Sequence, residues 1–373
     1  MSRPAPCACE RFDFNAVCHQ SMTIRRSAEN PIITPAMLRP SRAGHVVIGV
    51  FNPGCIRHGD ETLLLLRVAE APIPRDDREV LAPWFDAETG DIAVKRWARD
   101  AMALDTSDPR VIVSEGRTWL TSISHFRVGR SRDGIHFDIG DAPAMSAATA
   151  LESFGIEDPR ITLLDGTYWI NYSAVSPRGI ATALASTRDF VTFERHGVIF
   201  APPNRDVTLF PERVNGRYFA LHRPMPEGIG EHAVWSASSP DLMAWGDHRY
   251  VAGARAGMWD DGKVGGGAVP FRVRVGGRDA WLAIYHGVRS TPLQYALGAL
   301  LLDADDPSRV IGRSREPVLA PEAPYERHGF FDGVVFTCGL LVDGDRVRVY
   351  YGAADGVTAV ADLSLDTIIA GLA

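Results

Sequence analysis

A short motif recurs along this chain about every fifty residues, and few folds are open to a sequence with that period. Asp108-Pro109-Arg110-Val111 is followed by Thr118-Trp119-Leu120, Arg127 and Ser131-Arg132-Asp133. Asp158-Pro159-Arg160-Ile161 is followed by Tyr168-Trp169-Ile170, Arg178 and Thr187-Arg188-Asp189. A third unit runs from Phe210-Pro211-Glu212-Arg213 through Tyr218-Phe219-Ala220 to Ser239-Pro240-Asp241. Four strands joined by tight turns need about that length, which is the size of one propeller blade. Further units fit around residues 269–302 and 336–363, and a first around 46–68, with C-terminal strands to complete it. The expected fold is all-β: a five-bladed β-propeller forming one domain, 26–373, after a loose N-terminal extension, 1–25. A β-sandwich would not predict such a period.

The local grammar agrees. Short β-like runs at 46–51, 62–68, 111–114, 118–123, 168–173, 218–222, 281–285 and 347–351 lie between Gly, Asp, Asn and Pro turns. Leu164-Asp165-Gly166-Thr167, Val214-Asn215-Gly216-Arg217 and Val342-Asp343-Gly344-Asp345 read as hairpin turns, since Asp-Gly and Asn-Gly supply the positive φ that tight hairpins need. Short helices are expected over 94–102 and 365–372, and no long amphipathic helix is.

Composition narrows the class of function. A formal net charge of −7 carries no footprint for nucleic acid or an anionic membrane. The cysteines are Cys7, Cys9, Cys18, Cys55 and Cys338. Their number is odd and none forms a Cys-x-x-Cys pair, so neither a disulfide framework nor a metal site is expected. The first fourteen residues hold no apolar core of a secretory signal, and no stretch has the length of a membrane span. The cytoplasm is the expected compartment.

Chemistry-bearing residues cluster beside Gly and Pro at strand ends. Asp158 in Gly155-Ile156-Glu157-Asp158-Pro159-Arg160 stands where a loop enters a strand, on a backbone stiffened by proline. Such a carboxyl suits proton transfer if burial tunes it; taken alone, the stretch reads first as a turn cap with a structural ion pair. Phe51-Asn52-Pro53-Gly54, Arg67, Asn204-Arg205-Asp206, His222-Arg223-Pro224, Gly265-Gly266-Gly267, Tyr285-His286-Gly287 and Gly352-Ala353-Ala354-Asp355 sit in the same kind of place. Taken singly, His286 reads as a structural histidine and Arg223 as a salt-bridged arginine. The tryptophans read mainly as core.

Together, and in this order, these stretches resemble glycoside hydrolase family 130, the inverting mannoside phosphorylases and related mannosidases. Tyr325-Glu326 and Tyr350-Tyr351 belong to the same set of strings, and the resemblance runs from about His45 to Ile369. It implies a five-bladed propeller with a central sugar site and no metal or organic cofactor. Asp158 matches the family's proton donor, which delivers its proton through the mannosyl 3-hydroxyl. Asn52, Arg67 and Asp355 match residues that hold the mannosyl ring. Arg205, Arg223, His286 and Tyr295 match the phosphate-binding set, with Arg178 as an added charge. The family pattern has lysine where Arg205 stands; arginine keeps the charge and adds a planar fork.

Hydrolysis with inversion needs two carboxyl groups, whereas phosphorolysis needs one acid and a seat for phosphate. The sequence offers one outstanding acid and several cations. The expected activity is therefore phosphorolysis of a β-1,4-mannoside, a mannooligosaccharide or mannosyl-N-acetylglucosamine, to α-mannose 1-phosphate. Mannoside and inorganic phosphate are the expected partners, and a monomer or a homo-oligomer is compatible with the sequence. The alternatives are an inverting β-mannosidase, with Glu212, Glu227 or Glu231 as base, and a carbohydrate-binding propeller without catalysis.

Overall fold

Five antiparallel sheets, each built on a path of four strands, follow one another along the chain in a computed structural model that describes residues 24–102 and 104–372. The first sheet joins His45–His58, Glu61–Pro72, Ile123–Ser131 and Asp138–Ile139. The second runs Ile156–Leu164, Thr167–Ser176, Gly179–Thr187, Glu194–Phe200, and the third Asn204–Leu209, Tyr218–Pro224, Val234–Ser239, Gly246–Ala252. The fourth runs Lys263–Gly266, Arg278–Arg289, Gln294–Asp303, Val310–Arg313, with Phe271–Val275 paired onto its second strand. The fifth runs Val335–Asp343, Arg346–Ala353, Val357–Ser364 and returns to the start of the described chain for Ile24–Arg26.

Side-chain alternation makes each sheet bury both faces. Successive strand residues point to opposite faces. In the run Leu63 to Leu66, Leu63 and Leu65 therefore pack with Ile161 and Tyr172 of the second sheet, while Leu64 and Leu66 pack with Tyr350 and Val360 of the fifth. Tyr351, the next residue after Tyr350, turns the other way, onto Leu282 and Ile284 of the fourth sheet. Leu164 and Leu184 meet Leu209 and Ala237 between the second and third sheets, and Leu221 and Val234 meet Trp281 and Tyr285 between the third and fourth. Every sheet thus shares one core with its predecessor and one with its successor, and the last shares a core with the first. In the second and third sheets the first strands are almost wholly buried and the fourth strands are largely exposed or half-buried.

Three expectations change. The unit beginning at Asp108 is not part of a repeated sheet. It belongs to an insertion between the second and third strands of the first sheet, made of the hairpin Glu79–Asp86/Asp91–Ala98 and the small sheet Leu104–Asp105, Val111–Ser114, Arg117–Leu120. The letters Asp-Pro-Arg serve a different end there: the Arg110 amide donates to Asp108 Oδ1 at 2.9 Å, a side-chain-closed turn. The helix expected over 94–102 is instead mostly strand. Ile92 and Val94 alternate with Lys95 and Trp97, and the Lys95 ammonium lies over the Trp97 and Trp119 rings. Sheet completion also runs opposite to expectation, since the N-terminal strand completes the C-terminal sheet, with Ile24 paired to Leu363 and Arg26 to Ala361. That strand takes the last two residues of the expected extension 1–25; residues 1–23, with Cys7, Cys9 and Cys18, lie outside the described residues. Cys55 and Cys338 are buried and unpaired.

The helix Leu365–Ala370 forms as expected, capped by the Ser364 hydroxyl accepting from the Thr367 amide. Asp165-Gly166 and Asn215-Gly216 take paired positive φ values, 50° and 75°, 51° and 77°. The third hairpin is shifted by one residue: Asp343 pairs with Arg346, which puts Gly344 and Asp345 at its tip.

Glu326 locks the N-terminal strand in place. It sits in the single helical turn Pro324–Arg327, and its side chain is fully buried. Its carboxylate accepts from Arg26 Nε at 2.8 Å, Arg26 Nη2 at 3.1 Å, Tyr351 OH at 2.7 Å and the amides of Glu322 and Ala323 at 2.7 and 2.8 Å. Burial alone would raise this carboxyl; the bonds from Arg26, the Glu322 amide and Tyr351 outweigh it and hold the group below its ordinary range. Glu326→Gln should cost about 3 kcal/mol, because it leaves a mostly buried guanidinium with only the exposed Glu322 carboxylate as counter-charge. A depressed folded pKa stabilises above the unfolded value, about 4.3, and that contribution is lost as pH falls through the folded value. Urea unfolding should therefore show a constant gap between wild type and Glu326→Gln from about pH 8 to about pH 5, closing below about pH 4.

Candidate active site

The first strands of three successive sheets bulge at a polar residue held in left-handed backbone. Pairing slips between Phe51 and Gly54, between Glu157 and Arg160, and between Arg205 and Thr208. The residues inside those slips are Asn52, Asp158 and Asp206, with φ of 49°, 52° and 57°. Asn and Asp tolerate this region better than other side-chain-bearing residues, and a bulge re-aims the side chain away from the pleat. The fifth sheet adds Asp355, φ 50°, in the loop after its second strand. Close approach fixes the glycines: a methyl at Gly265 would collide with His286, Asp206 and Arg223, and one at Gly352 with Asn52 Oδ1.

These strand ends converge on one pocket. It is lined by Asn52, Arg67, Asp158, Arg205, Arg223, His286, Tyr295 and Asp355, all proposed from the sequence, and by Arg110, Asp206, Lys263, Phe331, Val334 and Phe336. Five cations, Arg67, Arg110, Arg205, Arg223 and Lys263, face three carboxyl groups, Asp158, Asp206 and Asp355.

Asp158 is 2% exposed. Its Oδ1 accepts from Asn52 Nδ2 and Arg67 Nη1, both at 2.9 Å, and its Oδ2 from Arg205 Nη2 at 3.1 Å. Burial alone would raise this carboxyl; Arg67, then Arg205, the Asn52 bond and Arg160 outweigh it and hold Asp158 below the usual range. Arg67 is itself fixed by Glu157 Oε1 at 2.7 Å, by Ser124 Oγ at 3.1 Å and by the Phe51 ring beneath its guanidinium. Arg160, the arginine of the motif, does not touch the Asp158 side chain. It donates to the Asp158 carbonyl at 3.1 Å and to the Gly266 and Gly267 carbonyls at 3.0 and 2.8 Å, tying the second sheet to the fourth.

Asp206 is the second buried carboxylate. Arg223 grips its Oδ2 through Nε at 2.7 Å and Nη2 at 2.6 Å, and Arg160 and Arg205 stand 3.5 and 3.7 Å from its Oδ1. Burial again pushes upward, and Arg223 with its neighbours outweighs it, so Asp206 stays ionised. His286 Nδ1 lies 3.2 Å from the Gly266 carbonyl and therefore carries its proton there. Burial pushes His286 down to about 3, against the pull of Asp206, so its Nε2 is an acceptor at neutral pH. Tyr295 stacks on His286, and the Lys263 ammonium lies 5.0 Å from the centre of the Tyr295 ring. Lys263 has no ion-pair partner among the described residues.

Several sequence assignments are corrected. Arg178 is exposed on the hairpin turn between Thr167–Ser176 and Gly179–Thr187 and does not line the pocket. Glu212 pairs with Arg272 at a separate surface depression, Glu231 bonds Tyr250, and Glu227 is exposed; none lines the pocket. Nor is Asp158 the one acid present, since Asp206, Asp355 and neighbouring Glu157 stand with it. Lys263, which follows Asp261-Gly262, and Arg110, in the Asp108-Pro109-Arg110 unit, are not marked as site residues by the sequence; only the pocket assembles them with the others.

A family model described as β-1,4-mannooligosaccharide phosphorylase, of glycoside hydrolase family 130, matches residues 104–372. The chain is 45% identical over 352 residues to a β-1,2-mannobiose phosphorylase from Listeria innocua, covering 93% of this chain and 98% of that protein. It is 33% identical over 254 residues to a β-1,4-mannooligosaccharide phosphorylase from Ruminococcus albus, covering 65% and 74%. The solved structure of the Listeria innocua enzyme with β-1,2-mannobiose superposes with a TM-score of 0.89 over 93% of this chain and 98% of that one. These relatives are glycoside phosphorylases, and the chain is an enzyme of their family. The chain belongs to glycoside hydrolase family 130.

Asp355 differs from the two ionised carboxylates. Burial pushes it up to about 6; Arg67 opposes that rise and Asp158 reinforces it. A carboxyl whose folded pKa exceeds the unfolded value, about 3.9, binds more protons folded than unfolded across that window. Stability from this group should fall as pH rises from about 4 to about 6, and Asp355→Asn should remove that part of the profile. Urea midpoints of the two proteins at about pH 4.5 and 6.5 measure it.

Proposed function

We propose that this enzyme transfers a terminal mannosyl residue from a β-mannoside to inorganic phosphate with inversion, releasing α-mannose 1-phosphate. The observation that carries this reading is the seat of uncommitted donors beside Asp158. Lys263 has no ion pair and Arg205 Nε, though buried, has no hydrogen-bond partner among the described residues. A dianion supplies the acceptors those groups lack, and guanidinium forks suit phosphate. The five sheets with their pairwise cores support a five-bladed propeller, with this pocket where the first strands meet.

In this reading Asn52, Arg67 and Asp355 hold the mannosyl ring, and Arg205, Lys263, Arg223, His286 and Tyr295 surround phosphate. A phosphate oxygen attacks C1 from the face opposite the glycosidic oxygen. The C1–O bond breaks, its electron pair goes to the leaving oxygen, and Asp158 supplies the proton, relayed by the mannosyl 3-hydroxyl. The case for phosphorolysis rests on the cations, since carboxyl groups are not scarce in the pocket.

For the linkage, similarity at 45% to the β-1,2-mannobiose phosphorylase, over nearly its whole length, favours a β-1,2-mannoside. The β-1,4 expectation has the more distant Ruminococcus albus relative and the family description behind it. Incubation with β-1,2-mannobiose or β-1,4-mannobiose, with and without phosphate, decides both points. The expected result is α-mannose 1-phosphate from the β-1,2 disaccharide only when phosphate is present. Free mannose without phosphate would make the enzyme a mannosidase, and turnover of the β-1,4 disaccharide alone would reverse the linkage. Asp158→Asn should lower turnover by about 10²–10⁴-fold, since an amide keeps the size but has no acid proton. Lys263→Ala should raise the phosphate KM about tenfold or more, with Tm nearly unchanged because no ion pair is broken.

A further inference from the structure

We propose that Arg205 is a phosphate-operated switch on the catalytic acid: it keeps Asp158 ionised in the resting enzyme, and bound phosphate draws it away so that Asp158 takes up a proton. The inference rests on the phosphorylase reading and adds a mechanism by which phosphate, besides being the nucleophile, arms the acid.

The resting geometry has the wrong protonation state for a proton donor. All three donors on Asp158 favour its charged form, and both carboxylate oxygens are engaged. Two of those donors are fixed. Asn52 is set by its bulge, and Arg67 is clamped by Glu157, Ser124 and Phe51. Arg205 is held far less. Its side chain is 23% exposed, against 14% for Arg67. A single nitrogen, Nη2, spans Asp158 at 3.1 Å and Glu157 at 3.7 Å. Its Nε is buried, 3.7 Å from Asp206, and makes no hydrogen bond among the described residues. This arginine is committed to no one partner, and its fork lies in the pocket where phosphate would bind.

The groups facing Asp158 come from every sheet. Asn52 and Arg67 belong to the first, Glu157 and Arg160 to the second, Arg205 and Asp206 to the third. The fourth brings His286, neutral at rest, and Lys263; the fifth brings Asp355 and the Cys338 thiol, which burial keeps neutral. When a dianion arrives, Arg205 exchanges a shared carboxylate for a bidentate partner, and Asp158 loses a donor while gaining a negative neighbour. Both changes favour the neutral acid. The proton comes from solvent and leaves later with the released sugar, so the cycle balances. Without phosphate Asp158 stays ionised and cannot assist water, which suppresses hydrolysis.

Calorimetric titration with sulfate tests this, since sulfate carries two charges throughout the neutral range and any proton taken up belongs to the protein. Titrations at pH 7 in two buffers of different ionisation enthalpy give the protons bound per sulfate. Wild type should take up as much as one proton per sulfate, with affinity rising as much as tenfold for each pH unit lost. Asp158→Asn should bind sulfate without that uptake, and Arg205→Ala should show a reduced uptake, its Asp158 being partly neutral beforehand. No uptake in wild type overturns the switch, as does uptake retained in Asp158→Asn, which would place the proton on His286 or Asp355. Absence of any sulfate binding while phosphate turnover persists also overturns it, because the switch asks only for a dianion. In each of these cases phosphate-dependent mannose 1-phosphate would still stand; free mannose without phosphate would remove the phosphorylase reading instead.

Discussion

Two carboxylates that cannot be buried alone organise this molecule. Asp158 and Asp206 lie almost out of reach of water, and an isolated buried charge would neutralise or unfold its surroundings. Each is instead met by guanidinium groups from several sheets: Arg67 from the first, Arg160 from the second, Arg205 and Arg223 from the third. Arg160 also reaches the carbonyls of Gly266 and Gly267 in the fourth. The apolar cores between sheets supply most of the burial, but they are interchangeable in kind. The central ion network is not, because only one arrangement of the sheets brings these partners together.

The same network accounts for the chemistry. A left-handed residue at a bulge costs something locally, and here that cost places an amide or carboxylate on the inner face of three successive sheets. The surrounding cations exceed the carboxyls they must balance, so the pocket keeps donors in reserve, Lys263 and one edge of Arg205. Asp355, pushed up to about 6 in the same pocket, shows how position alone separates like groups.

Much of this was legible in the sequence, for physical reasons. Asp-Gly and Asn-Gly pairs mark hairpins because few residues accept positive φ, and the unbroken apolar run Leu63 to Leu66 marks a strand buried on both faces. Asn52, Asp158, Arg205, Arg223, His286, Tyr295 and Asp355 stood out beside Gly and Pro and in the family's order, and the pocket gathers all of them. What misled was local similarity without long-range pairing. Asp108-Pro109-Arg110 repeats the letters around Asp158, yet Asp108 closes its own turn while Asp158 sits in a bulge. Arg178 follows its strand as the repeat requires, but at an exposed hairpin tip. Lys263 follows Asp261-Gly262 as an ordinary turn residue would, and nothing local marks it as part of a site. Its role depends on which strand ends meet, and that is fixed only when the sheets pack.

The central claim is that these strand ends form one seat for an anion and one for a mannosyl ring, side by side. The most direct test is a crystal structure of the Asp158→Asn protein with phosphate and β-1,2-mannobiose. The account predicts phosphate in contact with Arg205, Lys263 and Tyr295, facing C1 of a mannosyl ring held by Asn52, Arg67 and Asp355. An anion bound elsewhere, or a sugar seated away from those three residues, would contradict it.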